Sequence, residues 1–154
     1  MTSGGLTKTD VILLILLLTA VILVNPILRA ATGVKTPLAV VRGTSMLPLF
    51  KKGDIVVIVK KPPNEIRPGD VVVYRSIHGN RLIIHRVIEV LKINGEYEYV
   101  TKGDNNPYDD SFLFEYPQGG GVPYYRIVGV VWRPFNMDFK IPLIGALALL
   151  FKGG

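Results

Sequence analysis

The sequence predicts a mainly β protein carried behind one long apolar helix. Three observations predict it. A run without charges lies near the N-terminus; short runs rich in Val, Ile and Tyr, broken by Gly, Pro, Asn and Asp, fill the interval from Pro37 to Pro134; and no convincing helix falls in that interval. With 154 residues the chain has room for about one domain.

The first element is the helix. Val11 to Val24 reads VILLILLLTAVILV, fourteen positions without a charge, and the run continues through Asn25-Pro26 to Leu28, eighteen in all. Eighteen is the lower limit of a membrane span. With Ala30, Ala31 and snorkelling at Lys8 and Arg29, the segment can cross a hydrocarbon core of about 30 Å. Two other readings compete. A cleaved signal peptide would use a small-residue site such as that in LRAATG. A buried core helix would need a larger protein to cover an all-round apolar surface. The expectation is an N-terminal tail and transmembrane anchor over residues 1–32. The flanking charges, Lys8 and Asp10 before and Arg29 and Lys35 after, do not fix its orientation.

The β-rich domain is expected over residues 33–137. Its candidate strands are LAVVRG, DIVVIVKK, DVVVYRSI, RLIIHRVIEVL, YEYVTKG and YRIVGVVWRP, each bounded by turn residues. His78 to Asn80 and Asn94-Gly95 suit hairpin turns. KKGDIVV and RPGDVVV lie sixteen residues apart and read as two Gly-Asp turns entering strands, not as a repeat. A partly closed sheet follows, with a long loop from Lys102 to Pro123 rich in Asn, Asp, Gly and Pro; long ordered loops are often functional. The remaining residues, 138–154, contain an apolar stretch from Ile141 to Phe151. Eleven residues are too few to span as a helix, so a membrane-associated segment is expected there.

Composition narrows the chemistry. The net charge of +6 is scattered, with Lys-Lys pairs only at Lys51-Lys52 and Lys60-Lys61. There is no basic helix or arginine-rich arm, so no nucleic-acid partner is expected. The absence of cysteine excludes disulfides and thiolate zinc sites, and two histidines are too few for most histidine-built metal sites. No metal and no cofactor are expected.

Ser45 stands in RGTSMLPLFKKGDIVVI, either as a turn residue or as a nucleophile displayed on a turn. A serine hydroxyl needs a base to take its proton. In LIIHRVIEV, strand alternation puts Ile83, His85 and Val87 on one apolar face, where a histidine is held rigidly and partly desolvated. That pattern fits a base and also a satisfied core histidine. His78, in the polar SIHGN turn, reads as exposed and incidental. A carboxylate would fix the tautomer of a histidine base. VTKGDNNPYDDS offers Asp104, Asp109 and Asp110. Asp104 also suits an Asx turn, and adjacent Asp109 and Asp110 point different ways, so at most one of them faces the histidine.

GTSMLPLFKKGDIVV, IIHRVIEV and TKGDNNPYDD resemble, in that order, the motif boxes of the type I signal peptidases, most closely the archaeal and endoplasmic-reticulum branch. That branch has histidine where the bacterial branch has a catalytic lysine, and here the position is His85. The resemblance covers Val40 to Asp110, the apolar run before it and the IVGVV strand after it. It implies a signal-peptidase-like β domain. It also implies Ser45 as nucleophile, His85 as general base, Asp110 as the carboxylate partner, and Asp104 as a further aspartate acting through local structure or electrostatics. Two departures stand out. The family often continues DDR, whereas this chain has Ser111, so an ion pair that holds the loop is expected to be missing. Pro107 stiffens the loop.

The implied activity is membrane-bound serine endopeptidase cleavage of secretory signal peptides after small residues. Backbone N–H groups near Ser45, with the Thr44 or Ser45 hydroxyl, would hold the oxyanion. Substrate would add as a strand along a sheet edge. Met46 and Leu47 are candidates to shape substrate pockets or to dip toward lipid, and core packing is their other role. The implied partners are signal peptides, membrane lipid and the protein translocation machinery. The implied location is the cell membrane or the endoplasmic-reticulum membrane, with the catalytic domain on the extracytoplasmic side. Two other classes stay open: a membrane-tethered, non-enzymatic β domain that binds proteins, and a self-cleaving regulator with a Ser-Lys dyad.

Overall fold

The structure is a computed structural model and describes residues 7–142. From residue 143 on, the apolar C-terminal run expected to associate with the membrane lies outside the described residues. The chain begins with α1 (Lys8–Thr32) and continues through β1 (Leu38–Val40), β2 (Ile55–Val59), β3 (Val71–Arg75), β4 (Leu82–Ile93), β5 (Glu96–Lys102), β6 (Val122–Pro123), β7 (Ile127–Val131) and β8 (Lys140–Ile141). Short 3-10 turns at Pro63–Glu65, Tyr124–Arg126 and Pro134–Asn136 are the only other helical elements among the described residues.

Helix α1 opens with a capping box. The Thr7 hydroxyl accepts from the Asp10 N–H, and the Asp10 carboxylate accepts from the Thr7 N–H. Its 25 residues run roughly 37 Å at 1.5 Å each. The helix is long and apolar enough to cross a membrane, and its apolar window has no cover from the rest of the chain. At its end the Gly33 N–H donates to the Arg29 carbonyl (2.9 Å), and the Lys60 N–H donates to the Thr32 carbonyl (2.8 Å). The last turn is therefore tied to the residue that directly follows β2.

The sheet is antiparallel throughout, in the order β1-β2-β7-β3-β4-β5-β6, with β8 also paired to β2. Its centre is buried on both faces. Val71 and Val73 of β3 point into one core with Val34, Met46, Phe50, Val56, Ile58 and Val131. Val72 and Tyr74 point into a second core with Ile66, Val87, Tyr99, Tyr116, Val122 and Val130. This explains why DVVVY reads as a continuous apolar run with no alternation. Each fully buried valine contributes about 1.5–3 kcal/mol relative to an exposed one.

The expected strands form at the expected places. The β4–β5 hairpin turns at Asn94-Gly95, both with positive φ (51° and 86°), as a two-residue primed turn requires. Two strands escape the sequence pattern: β6 and β8 are two residues each, too short to show a period.

Candidate active site

Cross-strand partners in an antiparallel sheet share a face. Val72 pairs with His85, Tyr74 with Ile83, and Val87 with Thr101. Tyr74, His85 and Thr101 therefore project to the same side, that of the second core. The long loop after β5 folds back over this face and delivers Asp110. The Asp110 N–H donates to the Thr101 carbonyl at 2.9 Å.

Ser45 reaches the site from the other side. Its loop connects β1 to β2 and is closed at its base by Val41 N–H to Asp54 carbonyl (2.8 Å) and Gly53 N–H to Val41 carbonyl (2.9 Å). Met46 is 2% exposed and Phe50 fully buried, so the turn that carries Ser45 is pinned into the first core. Leu47 is half-buried beside it. Met46 thus has the core-packing role that its sequence also allowed.

Three side chains form one chain of hydrogen bonds. Ser45 Oγ lies 2.9 Å from His85 Nε2. His85 Nδ1 lies 2.7 Å from Asp110 Oδ2 and 2.8 Å from Oδ1. His85 is 4% exposed and Asp110 fully buried. An ionised carboxylate only accepts, so the tautomer that fits has Nδ1–H facing Asp110 and the Nε2 lone pair facing the serine hydroxyl. No lysine ammonium hydrogen-bonds Ser45 Oγ among the described residues.

Two residues that the sequence reading did not single out complete the site. The Tyr74 hydroxyl (2.8 Å) and the Thr101 hydroxyl (2.6 Å) both donate to Asp110 Oδ2. Burial, and then the neighbouring Asp110 charge, push the Tyr74 phenol well above its ordinary range, so it remains a proton donor. Thr101 is fixed in turn by Tyr116, whose hydroxyl accepts from the Thr101 N–H (3.0 Å) and donates to the Thr101 carbonyl (3.2 Å). Burial raises the Tyr116 phenol to about 12.

Asp104 is not part of this chain. It forms a two-point pair with Arg86, at 2.8 Å to Nε and 2.7 Å to Nη2, on the opposite face of β4 from His85. The pair braces the start of the loop, where the Asn105 N–H donates to the Ser45 carbonyl (2.7 Å) and the Asn105 side chain to the Thr44 carbonyl (3.3 Å). Gly103 makes the approach possible. A Cβ there would come within 2.7 Å of the Ser45 carbonyl oxygen.

Asp109 points away from the histidine and accepts from both the N–H (2.8 Å) and the hydroxyl (2.5 Å) of Ser111. The loop nevertheless has a buried ion pair a few residues on. Glu115 accepts from Arg126 Nη2 (2.9 Å), the Ser76 hydroxyl (2.6 Å) and the Ile77 N–H (3.1 Å). His78, exposed as expected, sits 3.1 Å from the Leu113 carbonyl through Nε2.

Known proteins resemble this chain in sequence. The family described as Peptidase S24-like matches residues 21–115. The signal peptidase complex catalytic subunit SEC11C of Rattus norvegicus is 34% identical over 135 residues, covering 77% of this chain and 70% of the relative. SEC11C of Homo sapiens is 34% identical over the same shares. The catalytic subunit SEC11 of Schizophyllum commune is 30% identical over 153 residues, covering 80% of this chain and 78% of the relative. With a hydroxyl, an imidazole and a buried carboxylate in hydrogen-bonded order, the chain belongs to the S24-like serine peptidases and, within them, to the signal peptidases.

Proposed function

We propose that Ser45, His85 and Asp110 carry out signal-peptide hydrolysis through an acyl-enzyme. Ser45 Oγ attacks the carbonyl carbon after a small residue of the substrate. His85 Nε2 takes the hydroxyl proton as the bond forms, then gives it to the departing amine. Asp110 keeps the imidazole in the tautomer that can accept, and its charge stabilises the imidazolium between the two transfers. A water activated by the same nitrogen then releases the acyl group. Asp104 acts at one remove, by holding the loop that bonds to the Ser45 carbonyl.

The observation that carries this reading is the unbroken path from Ser45 Oγ through both ring nitrogens of His85 to Asp110, with no step longer than 2.9 Å. We further propose that α1 anchors the chain in the cell or endoplasmic-reticulum membrane with the β domain on the extracytoplasmic side. The names of the relatives describe catalytic subunits of a signal peptidase complex, and we place this chain in such an assembly, receiving preproteins from the translocation machinery.

The test is cleavage of a preprotein in detergent by wild type, Ser45→Ala and His85→Ala, with folding checked by circular dichroism. Each substitution is expected to lower kcat by at least about 10³-fold. Activity retained by folded His85→Ala would overturn the assignment of the base.

A further inference from the structure

A second site lies where α1 meets the sheet. A cleft of about 320 Å³ opens between the end of the helix, the residues after β2, the end of β3 and the start of β7. Five cations line it, Lys35, Lys60, Lys61, Arg75 and Arg126, and no carboxylate does. Lys61 is paired with Asp70 and Arg126 with Glu115. Lys35, Lys60 and Arg75 are exposed and form no ion pair among the described residues. Three unneutralised cations lining one concave surface attract an anion.

Depth identifies the source of that anion. The apolar run of α1 ends at Leu28, and the cleft begins at Gly33, about 7.5 Å further along a helix rising 1.5 Å per residue. The headgroup layer on each side of a bilayer is about 5–8 Å thick. A neighbouring cavity of about 330 Å³ shares Lys35 and Thr36 with the cleft, and it adds Arg29 together with the apolar Val24, Leu28 and Leu38 on the membrane side. One ligand chemistry fits both spaces.

We propose that the cleft binds the phosphate of an anionic membrane lipid, with the top of its acyl chains lying along Val24, Leu28 and Leu38. The inference rests on the reading of α1 as a membrane anchor.

The experiment uses the full chain, reconstituted in bilayers of equal parts phosphatidylglycerol and phosphatidylcholine, then released and weighed by native mass spectrometry. The wild type is expected to retain phosphatidylglycerol in preference. Lys60→Gln with Arg75→Gln should cut that preference roughly tenfold or more, because each cation near an anionic surface is worth a factor of about five. Lys60→Arg with Arg75→Lys should keep it. Neither residue touches the hydrolytic site, so peptide cleavage in detergent should not change in the double Gln variant. Equal retention by wild type and the double Gln variant would overturn the proposal. Loss of the lipid from the wild type on adding inorganic phosphate would assign the cleft to a soluble anion and overturn the lipid assignment. Release of the wild type from the bilayers by alkaline carbonate would remove the anchor, and this inference with it, while leaving the hydrolytic assignment untouched.

Discussion

Thr101 and Asp110 are tied twice: the threonine hydroxyl donates to Asp110 Oδ2 at 2.6 Å, and the Asp110 N–H donates to the threonine carbonyl at 2.9 Å. The loop from Gly103 to Asp110 is thereby closed onto the strand that it leaves. The carboxylate is aimed at His85 by the backbone of β5 as well as by its own side-chain donors.

Removing those donors should therefore weaken turnover without touching the reacting atoms. Tyr74→Phe and Thr101→Val each delete one hydrogen bond to a buried carboxylate, worth about 1.5–3 kcal/mol. Each is expected to lower kcat roughly ten- to hundredfold with KM little changed. Steady-state kinetics on a signal peptide separate the two constants. A rise in KM at constant kcat would mean that these hydroxyls serve substrate binding.

The two aspartates should differ in degree. Asp110→Asn presents an amide to three donors, the Tyr74 and Thr101 hydroxyls and the His85 Nδ1–H, so at least one is left unpaired in a dry site. A kcat loss of about 10⁴ is expected, together with a lower Tm. Asp104→Asn weakens only the Arg86 brace, and a loss of about ten- to hundredfold is expected. Arg86→Gln should cost at least as much, because Arg86 also donates to the Gly69 carbonyl (2.8 Å) and faces Asp138 (3.8 Å). Equal losses at Asp104 and Asp110 would place Asp104 inside the proton-transfer chain.

Much of this was legible in advance. The strands announced themselves because runs of Val and Ile were bounded by Gly-Asp and Asn-Gly, and His85 stood out as the one polar side chain on an apolar face. Tyr74 did not. It lies on β3, where both faces are buried, so alternation gives no hint of which residues look toward the site. Nor could residue type separate Asp104 from Asp110. That choice depends on how the loop closes over β5, which rests on long-range bonds such as Glu115 to Arg126 and Ser76. The expected loss of a loop ion pair at Ser111 is offset by this second pair, which no local pattern foretold.

Gly103 has a steric role that a single methyl group tests. Gly103→Ala would drive Cβ to 2.7 Å from the Ser45 carbonyl and 2.8 Å from the Asn106 amide nitrogen. The Ser45 turn must then retreat, stretching its contact with His85. A drop in kcat of about 10²-fold is expected, since misplacement by about 1 Å has that effect. A kcat within twofold of wild type would show that the loop yields without moving the serine.

Acid should loosen the loop before it unfolds the sheet. Burial alone would raise the Glu115 carboxyl. The Ser76 hydroxyl, the Ile77 N–H and the Arg126 guanidinium outweigh it and hold the group below its ordinary value of 4.5. The unfolded chain therefore binds the proton first as pH falls. The contribution of Glu115 is complete above the unfolded value and is lost as pH drops through the lower folded one. Glu115→Gln should lower Tm at neutral pH and flatten its decline on the acid side, as followed by thermal melts between pH 3 and pH 7. Parallel melting curves for the two proteins across that range would contradict it.

The joint between α1 and the sheet has no slack: the Thr32 carbonyl is bonded to the Lys60 N–H, and a methyl group at Gly33 would already crowd Lys60 Cβ at 3.2 Å. With α1 in a bilayer, as proposed above, a helix joined this stiffly would work as a depth gauge. Any tilt forced on it by a thinner or thicker bilayer swings the whole sheet and changes the height at which Ser45 rides. The choice of scissile bond would then be a matter of reach as well as of side-chain fit, and lengthening the joint should shift cleavage along the substrate.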